Sequence, residues 1–175
     1  TMGAEPRGSG RLIGLFLILA VVMLVVWGVR QLSPPADPTG LPAIGKRFDD
    51  LRFEPLIGDA EPITIDSLQG QVTLVNFWGP WCGPCRAEFP ELMELRKDLQ
   101  NNDKFRFVSV SCSADGNDVQ LEAQTNTFLK QQDAKLPVHR DPKLASANAL
   151  AELNTDKGFA FPTTVLLDQQ GIIRG

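Results

Sequence analysis

The chain has 175 residues, room for one ordinary domain and an appendage, and its 43% apolar residues exclude a wholly disordered protein. Its formal net charge is −4, and its 17 lysines and arginines are scattered along the sequence. We therefore expect no clustered basic surface and no nucleic-acid partner.

The first feature in chain order is a charge-free apolar run at residues 12–29. Its length is at the lower end of the roughly 17 to 25 residues that cross a bilayer. Because Arg7 and Arg11 precede the run, the positive-inside tendency keeps residues 1–11 in the cytoplasm and exports the rest. We predict a single-pass transmembrane signal anchor in the cell (inner) membrane, with the catalytic domain on the extracytoplasmic, periplasmic side.

Three alternatives to an anchor fit this apolar run less well. A cleaved signal peptide has a shorter apolar core and a small-residue cleavage site, and residues 26–31 offer no good site. A lipoprotein needs a cysteine just after the run, and the sequence has none there. A buried core helix is the third alternative, but this run is followed by a linker rather than by further globular sequence.

The anchor leads into a proline-rich linker at residues 30–43, which lacks apolar periodicity and predicts a semi-rigid spacer. The pattern becomes globular at residues 44–175, which we predict to be a single folded domain. Two β-prone runs, residues 51–57 and 62–65, flank Gly58 and predict an N-terminal β-hairpin.

The rest of the domain alternates between strand-like and helix-like patterns of apolar residues, which predicts a central sheet with helices on its faces. The predicted elements are a helical turn at 66–68, strands at 72–78, 105–111 and 163–167, a helix that follows the first of these strands with Pro84 early in it, helices at 119–132 and 142–153, a turn at 168–171 and a partner strand from 172. The first helix should bury one apolar face, made by Phe89, Leu92, Leu95 and Leu99. The third helix should begin at Pro142 with Asp141 as its N-cap.

The end of the sequence falls within a predicted element. A strand begins at residue 172 and the sequence stops at Gly175, which leaves a sheet face that one more helix would cover. We therefore expect a fragment that lacks the C-terminal helix of the domain.

The most informative local feature is the pair Cys82 and Cys85, which lies where a predicted strand meets a predicted helix. This spacing brings the two sulfurs within one helical turn, close enough to form a disulfide. The partial positive charge and free N–H groups of a helix N-terminus favour a thiolate at Cys82 and lower its pKa below that of a free cysteine. Cys85 lies one turn further in and is the natural resolving thiol.

Two structural readings of the cysteine pair compete with a redox site. A zinc site needs two further ligands, and only Cys112 and His139 remain, in unrelated contexts. We interpret Cys112 as a buried packing residue and His139 as structural or surface-exposed, and we expect no metal. A purely structural disulfide closing so short a loop would stabilise the fold little.

At this point the sequence resembles a known family. Residues 74–92, LVNFWGPWCGPCRAEFPEL, closely resemble the thioredoxin superfamily and within it the membrane-anchored TlpA/ResA-like thiol-disulfide oxidoreductases. The resemblance implies a thioredoxin-like α/β fold, with a central mixed sheet flanked by helices and an extra N-terminal β-hairpin. It also implies an extracytoplasmic enzyme without a cofactor that reduces disulfides of protein substrates, apocytochrome c in cytochrome c maturation among them. Its electron donor should be membrane-embedded.

The resemblance implies roles for residues beside the cysteines. Pro162 matches the family's cis-proline, so the Phe161–Pro162 bond should be cis and Phe161 should touch the substrate. Trp81 should shield the Cys82–Cys85 redox-active disulfide and offer partners an apolar contact. Pro84, with the glycine before it, matches ordinary thioredoxin, which favours a reductant over an oxidant.

Two polar residues complete the set that the resemblance suggests. Glu88 matches a glutamate thought to tune thiol acidity, since a carboxylate near the pair raises thiol pKa values and accepts a proton from Cys85. The alternative for Glu88 is a solvated helix residue. Asn76 stands where thioredoxins proper often carry a buried aspartate, and this departure gives Glu88 more weight.

Two functions of other classes remain as alternatives. A peroxiredoxin-like peroxidase needs a threonine or serine three residues before its reactive cysteine, whereas position 79 is glycine. A non-enzymatic copper(I)-binding module could use the same thiolates, but no suitably placed histidine or methionine supports it.

Overall fold

A computed structural model of the chain describes residues 21–25, 40–154 and 159–175. The chain divides into two units, Thr1–Pro38 and Thr39–Gly175. In the first unit, residues 21–25 are helical and their side chains are exposed. Within the described ranges, no helix has both the length and the apolar character needed to cross a membrane. Most of the predicted anchor and linker lies outside these ranges.

The second unit is built on a six-stranded mixed sheet with the strand order β2-β1-β5-β4-β3-β6. Strands β3, β4 and β5 are parallel, whereas β1 and β6 run antiparallel to their neighbours β5 and β3. The strands are β1 (Arg52–Ile57), β2 (Ile63–Thr64), β3 (Val72–Trp78), β4 (Phe105–Ser111), β5 (Val138–Arg140) and β6 (Thr163–Leu167). The helices are α1 (Gly83–Leu99), α2 (Leu121–Gln131) and α3 (Ala145–Leu153), with 3₁₀ turns at Ile65–Leu68, Asp118–Gln120 and Pro142–Leu144.

Strand β3 supplies side chains to two cores, one on each face of the sheet. Val75 and Phe77 are fully buried in the core that α3 covers. Trp78 points to the opposite face, where α1 and α2 pack. Its ring lies 5.1 Å from that of Phe128 and 5.7 Å from that of Phe89, centroid to centroid. Burial on both faces explains why the β3 sequence is a nearly continuous apolar run.

Most predicted elements are confirmed. The ranges predicted for β3, β4 and β6 agree with the structure to the residue, and β1 and β2 form the expected antiparallel hairpin. Ile173 pairs with Leu167 as the start of the expected partner strand. The thioredoxin-like α/β architecture that the resemblance implied, a central mixed sheet with helices on its faces and an N-terminal β-hairpin, is therefore the architecture of the described part of the second unit.

The prediction of one helix at residues 142–153 is wrong. Lys143 and Leu144 both have φ of 55°, so the chain leaves the helical region after Pro142 and α3 begins only at Ala145. The Asp141 carboxylate accepts hydrogen bonds from the N–H groups of Ser146 (2.9 Å) and Ala147 (2.8 Å). Asp141 therefore caps α3, from which the left-handed residues Lys143 and Leu144 separate it, and not the 3₁₀ turn that directly follows Asp141.

Two further expectations differ from the structure. Strand β5 was not predicted, because its three residues include a histidine and an arginine. Val138 and His139 are buried, and the strand pairs with β1 and β4. Leu95 was expected on the buried face of α1 but is 40% exposed. Six residues separate it from Phe89, which at 3.6 residues per turn places it about 120° around the helix. Met93, one turn after Phe89, packs against the core instead.

Candidate active site

Cys82 and Cys85 form a disulfide at the N-terminus of α1, with an S–S distance of 2.04 Å. Cys82 is the N-cap residue of the helix, in extended conformation, and Gly83 and Pro84 begin the first turn. The Cys85 N–H donates to Cys82 Sγ at 3.2 Å, so the first sulfur receives one of the free N–H groups of the helix end. That donor and the helix dipole both favour negative charge on Cys82 when the bond is reduced.

Both cysteines are almost fully buried in the disulfide form, with 4% of Cys82 and 1% of Cys85 exposed. They belong to the core cluster that contains Trp78 and Phe89, so the helix end that carries them rests on packed aromatic side chains.

Trp81 directly precedes Cys82 and is held in place although 46% of it is exposed. Its Nε1–H donates to the Cys112 carbonyl at 2.9 Å, and its ring meets the Phe161 ring edge to face at 5.4 Å. The indole also lies directly on Gly79: a Cβ at that position would be 2.4 Å from Nε1 and 2.6 Å from Cε2. Only glycine at position 79 leaves room for this arrangement.

The loop before β6 reaches the site through Phe161 and Pro162, whose peptide bond is cis. Phe161 packs against the cluster that includes both cysteines. Its ring lies 5.1 Å from that of Phe159, which in turn meets Phe77 at 5.3 Å, both edge to face. The structure thus places the cis-proline loop against the cluster that contains the cysteine pair. Phe159 connects the loop to Phe77 in the core on the opposite face of the sheet.

Asn76 and Glu88 meet beneath α1. Asn76 is 2% exposed, and its Nδ2 donates to Glu88 Oε1 at 3.1 Å and to Thr164 Oγ1 at 3.0 Å. Both protons of the amide are therefore used, and the half-buried Glu88 carboxylate is fixed three residues after Cys85. Thr164 was missed by sequence reasoning; only the pairing of β3 with β6, which places Asn76 opposite Thr164, reveals it.

Cys112 and His139 lie apart from the disulfide chemistry. Cys112 is a free thiol, 1% exposed, and burial raises its pKa above the ordinary cysteine value. His139 is buried on β5, its Nε2 lies 3.0 Å from the Glu61 carbonyl, and burial lowers its pKa below the ordinary 6.5. The unforeseen contribution of Cys112 is its backbone carbonyl, which accepts the hydrogen bond from Trp81.

The described residues contain no cluster of three or more histidine, cysteine, aspartate or glutamate side chains arranged to hold a metal ion. The groups that converge at the start of α1 are instead two sulfurs, helix N–H groups, aromatic rings and one carboxylate held by an amide. Such a set suits the exchange of a disulfide with a second sulfur pair.

Comparisons with known proteins agree with this chemistry. The model of a family described as AhpC/TSA matches residues 44–175. The thioredoxin-like protein YneN of Bacillus subtilis is 31% identical over 132 residues, which cover 74% of this chain and 68% of that protein. The thiol:disulfide interchange protein DsbE of Pseudomonas aeruginosa is 31% identical over 166 residues, covering 93% and 78%. A crystal structure of a thiol:disulfide interchange protein from Chlorobium tepidum TLS, 25% identical, superposes with a TM-score of 0.58 over 76% of this chain and 85% of that one.

Proposed function

We propose a direction and a place of action for this chain, which belongs to the AhpC/TSA family and is a thiol-disulfide oxidoreductase of the DsbE and ResA type. It reduces selected protein disulfides with the Cys82–Cys85 dithiol, on the extracytoplasmic side of the membrane that anchors it. The observation that carries the proposal is the position of Cys82 Sγ at the start of α1, where it accepts the Cys85 N–H.

The proposed reaction begins when the Cys82 thiolate of the reduced enzyme attacks one sulfur of a substrate disulfide. A bond forms between Cys82 Sγ and that sulfur, the substrate S–S bond breaks, and the released substrate thiolate takes a proton. Cys85 then attacks Cys82 Sγ as a thiolate, the mixed disulfide breaks, and the second substrate thiol leaves. Two electrons pass to the substrate, and the enzyme ends as the Cys82–Cys85 disulfide.

Glu88 supports the second attack. It is fixed by Asn76, half-buried, and one turn from Cys85 on the same helix. We assign it the role of accepting the Cys85 proton before that sulfur attacks, and its negative charge raises the thiol pKa values of the reduced pair. Asn76 and Thr164 act only by positioning this carboxylate.

Trp81 and the Phe161–Pro162 loop form the surface that the substrate meets. Trp81 is the large exposed aromatic residue next to the sulfurs, and its indole is already fixed, so little conformational freedom is lost on contact. The edge of the loop at Phe161 lies beside it. A polypeptide near its own disulfide would lie across these two side chains.

The direction and location rest on the sequence. The Gly83-Pro84 pair is that of ordinary thioredoxin, whose potential is about −270 mV, and favours a reductant. The apolar run at residues 12–29, preceded by Arg7 and Arg11, favours an anchored protein with its domain outside. An enzyme placed there needs a membrane-embedded electron donor. Apocytochrome c is the candidate substrate that the TlpA/ResA-like resemblance implies.

A peroxidase, the other activity considered for this fold, is opposed by the packing at position 79. The threonine or serine that peroxidases use there would place its Cβ within 2.6 Å of two Trp81 ring atoms. The indole would have to leave its position. Consumption of hydrogen peroxide by the reduced protein at a rate comparable to its disulfide reduction would contradict this conclusion.

Substrate capture tests the proposal. Cys85→Ser should accumulate a mixed disulfide between Cys82 and a protein substrate, because the resolving thiol is absent, whereas Cys82→Ser should capture nothing and lose reductase activity. Cys112→Ser is the matched control and should behave as wild type, since that thiol is free and belongs to the core cluster that does not contain Cys82 and Cys85. If Cys85→Ser captures nothing and the wild type reduces no model disulfide, the proposed function is wrong. A potential near −120 mV instead of about −270 mV would reverse the proposed direction.

A further inference from the structure

A groove beside the disulfide has no role in the reaction described above. It lies between the start of α1 and α2, has a volume of about 480 Å³, and is lined by Trp81. Arg86 lies on its α1 side, and Phe128 with Gln120, Gln124 and Gln131 on its α2 side. Because Trp81 directly precedes Cys82 in the chain, the groove lies close to the position of a substrate disulfide.

The two aromatic walls of this groove, named here the α2 groove, are fixed before any partner binds. Trp81 is held by the Cys112 carbonyl and by Phe161. Phe128 is 2% exposed and packs against Phe89 with ring centroids 4.9 Å apart. A preformed surface of this kind loses little side-chain freedom on binding, which favours its use as a docking site.

The groove carries one charged residue, and that charge is unpaired. The Arg86 guanidinium lies over the Phe128 ring, 5.6 Å from its centroid, and makes no ion pair with any carboxylate in the described part of the chain. Stacking on a buried ring holds the cation at the groove while its N–H donors stay available. A carboxylate is the group that matches this geometry best.

The other polar groups of the groove match a polypeptide backbone. Gln120, Gln124 and Gln131 carry side-chain amides, which donate through N–H and accept through C=O. Gln124 Nε2 donates to Gln120 Oε1 at 3.5 Å, which leaves one Gln124 N–H and both Gln120 N–H groups for a ligand. An extended peptide offers the complementary C=O and N–H groups along its length. An uncharged amide surface with one cation therefore fits a peptide segment with one acidic residue better than a basic or purely apolar segment.

We propose that the α2 groove binds the segment of the substrate polypeptide next to the cysteine that Cys82 attacks, and that Arg86 selects an acidic residue in that segment. Arg86 follows Cys82 by four residues, about 6 Å along the helix axis. An extended chain advances about 3.3–3.6 Å per residue, so the acidic residue lies roughly two to four positions from the cysteine once the side chains are included. The inference rests on the proposed function, because it concerns the substrate of the same sulfurs.

The test uses the reduced full chain and three synthetic peptides that differ only in Asp, Asn or Lys three residues from a single cysteine. The cysteine is protected as a mixed disulfide with 2-mercaptoethanol, and each rate is divided by the rate on 2-hydroxyethyl disulfide, which carries no charge. The wild type should reduce the Asp peptide about two- to fivefold faster than the Asn peptide, in the range of a partly exposed ion pair, and the Lys peptide slowest.

Variants assign the preference to the groove. Arg86→Glu should invert the order of the Asp and Lys peptides. Lys97→Glu, the same charge change on an exposed residue of α1 that does not line the groove, should keep the wild-type order. Ala123→Trp adds bulk to an exposed lining residue and should abolish the preference, which gives a second measurement if Arg86→Glu fails to fold.

Three outcomes overturn the inference. Equal normalised rates for the three peptides with the wild type would show that the groove selects no charge. An unchanged preference in both Arg86→Glu and Ala123→Trp would place the selection elsewhere. In either case, reduction of 2-hydroxyethyl disulfide leaves the proposed function standing. Failure to reduce even that compound would instead contradict the proposed function, and the groove assignment with it.

Discussion

Replacing Gly79 with alanine should displace the Trp81 indole, because the new Cβ would lie 2.4 Å from Nε1 and 3.0 Å from the Cys112 carbonyl oxygen. Trp81 would lose its 2.9 Å hydrogen bond to that carbonyl and its edge-to-face contact with Phe161. A hydrogen bond contributes about 0.5–1.5 kcal/mol and an aromatic pair a similar amount. We expect Gly79→Ala to lower the free energy of unfolding by about 1–3 kcal/mol.

Gly83→Ala is the matched control for this prediction. A Cβ at Gly83 meets no heavy atom within 4 Å, and the residue lies in the first turn of α1, where alanine costs nothing and stabilises by up to about 1 kcal/mol. Urea unfolding followed by circular dichroism compares the two variants, and acrylamide quenching reports the exposure of the tryptophans. Gly79→Ala should also slow the reduction of protein disulfides more than that of 2-hydroxyethyl disulfide. Equal stabilities and equal quenching in the two variants would refute the conclusion that Gly79 leaves the room that the Trp81 indole needs.

Three further predictions follow from the buried and half-buried groups. Because burial lowers the pKa of His139, the unfolded chain binds the proton more readily than the folded one; the stability from neutral His139 is fully present above about pH 6.5 and is lost as pH falls toward the folded-state pKa. As the pH is lowered through this range, the free energy of unfolding should decrease less steeply in His139→Gln than in the wild type. Parallel curves for the two proteins would contradict the prediction. Burial raises the pKa of Cys112, so the native thiol should resist iodoacetamide at neutral pH and react only after denaturation; rapid labelling of the native protein, seen by mass spectrometry, would show that it is accessible. Glu88→Gln keeps an acceptor for Asn76 but removes the charge, so the rate of disulfide reduction should reach half its maximum at a lower pH; an unchanged or higher midpoint would remove Glu88 from the thiol chemistry.

The three strands whose limits the sequence predicted to the residue, β3, β4 and β6, share a run of β-prone residues. In each, local preference and burial agree, and the run stops where the chain turns. Strand β5 lacks such a run: two of its three residues, His139 and Arg140, are polar, and His139 was interpreted as structural or surface-exposed. The histidine is buried in a strand that lies between β1 and β4. Its prediction requires the order of the strands, which no local pattern contains.

The start of α3 shows a second limit. Aspartate followed by proline is a typical helix N-terminus, and it predicted a helix from Pro142. The left-handed conformations of Lys143 and Leu144 are not favoured by their side chains. They persist where the surrounding structure imposes them, and here they let Asp141 reach two N–H groups of the helix beyond.

Some features of the candidate site could likewise be predicted from the sequence, and others could not. The chemistry of Cys82 and Cys85 depends on their spacing and on the helix that follows them, which are both local features. The pair could therefore be identified from the sequence. The packing of Trp81 could not, because it depends on Gly79 and on the Cys112 carbonyl just after β4, 31 residues further along the chain than Trp81. The link from Asn76 to Thr164 spans 88 residues and likewise depends on the pairing of β3 with β6.

The reactivity of the three cysteines in the reduced protein tests the central claim most directly, the claim that the end of α1 makes Cys82 the attacking sulfur. Reduced full-length protein is exposed briefly to iodoacetamide over a range of pH, and mass spectrometry assigns the label to each cysteine. We predict that Cys82 is labelled first, with a midpoint below the value of about 8.5 for a free thiol, while Cys85 and Cys112 stay unmodified. Labelling of Cys85 before Cys82, or a Cys82 midpoint at or above that of a free thiol, would contradict the account.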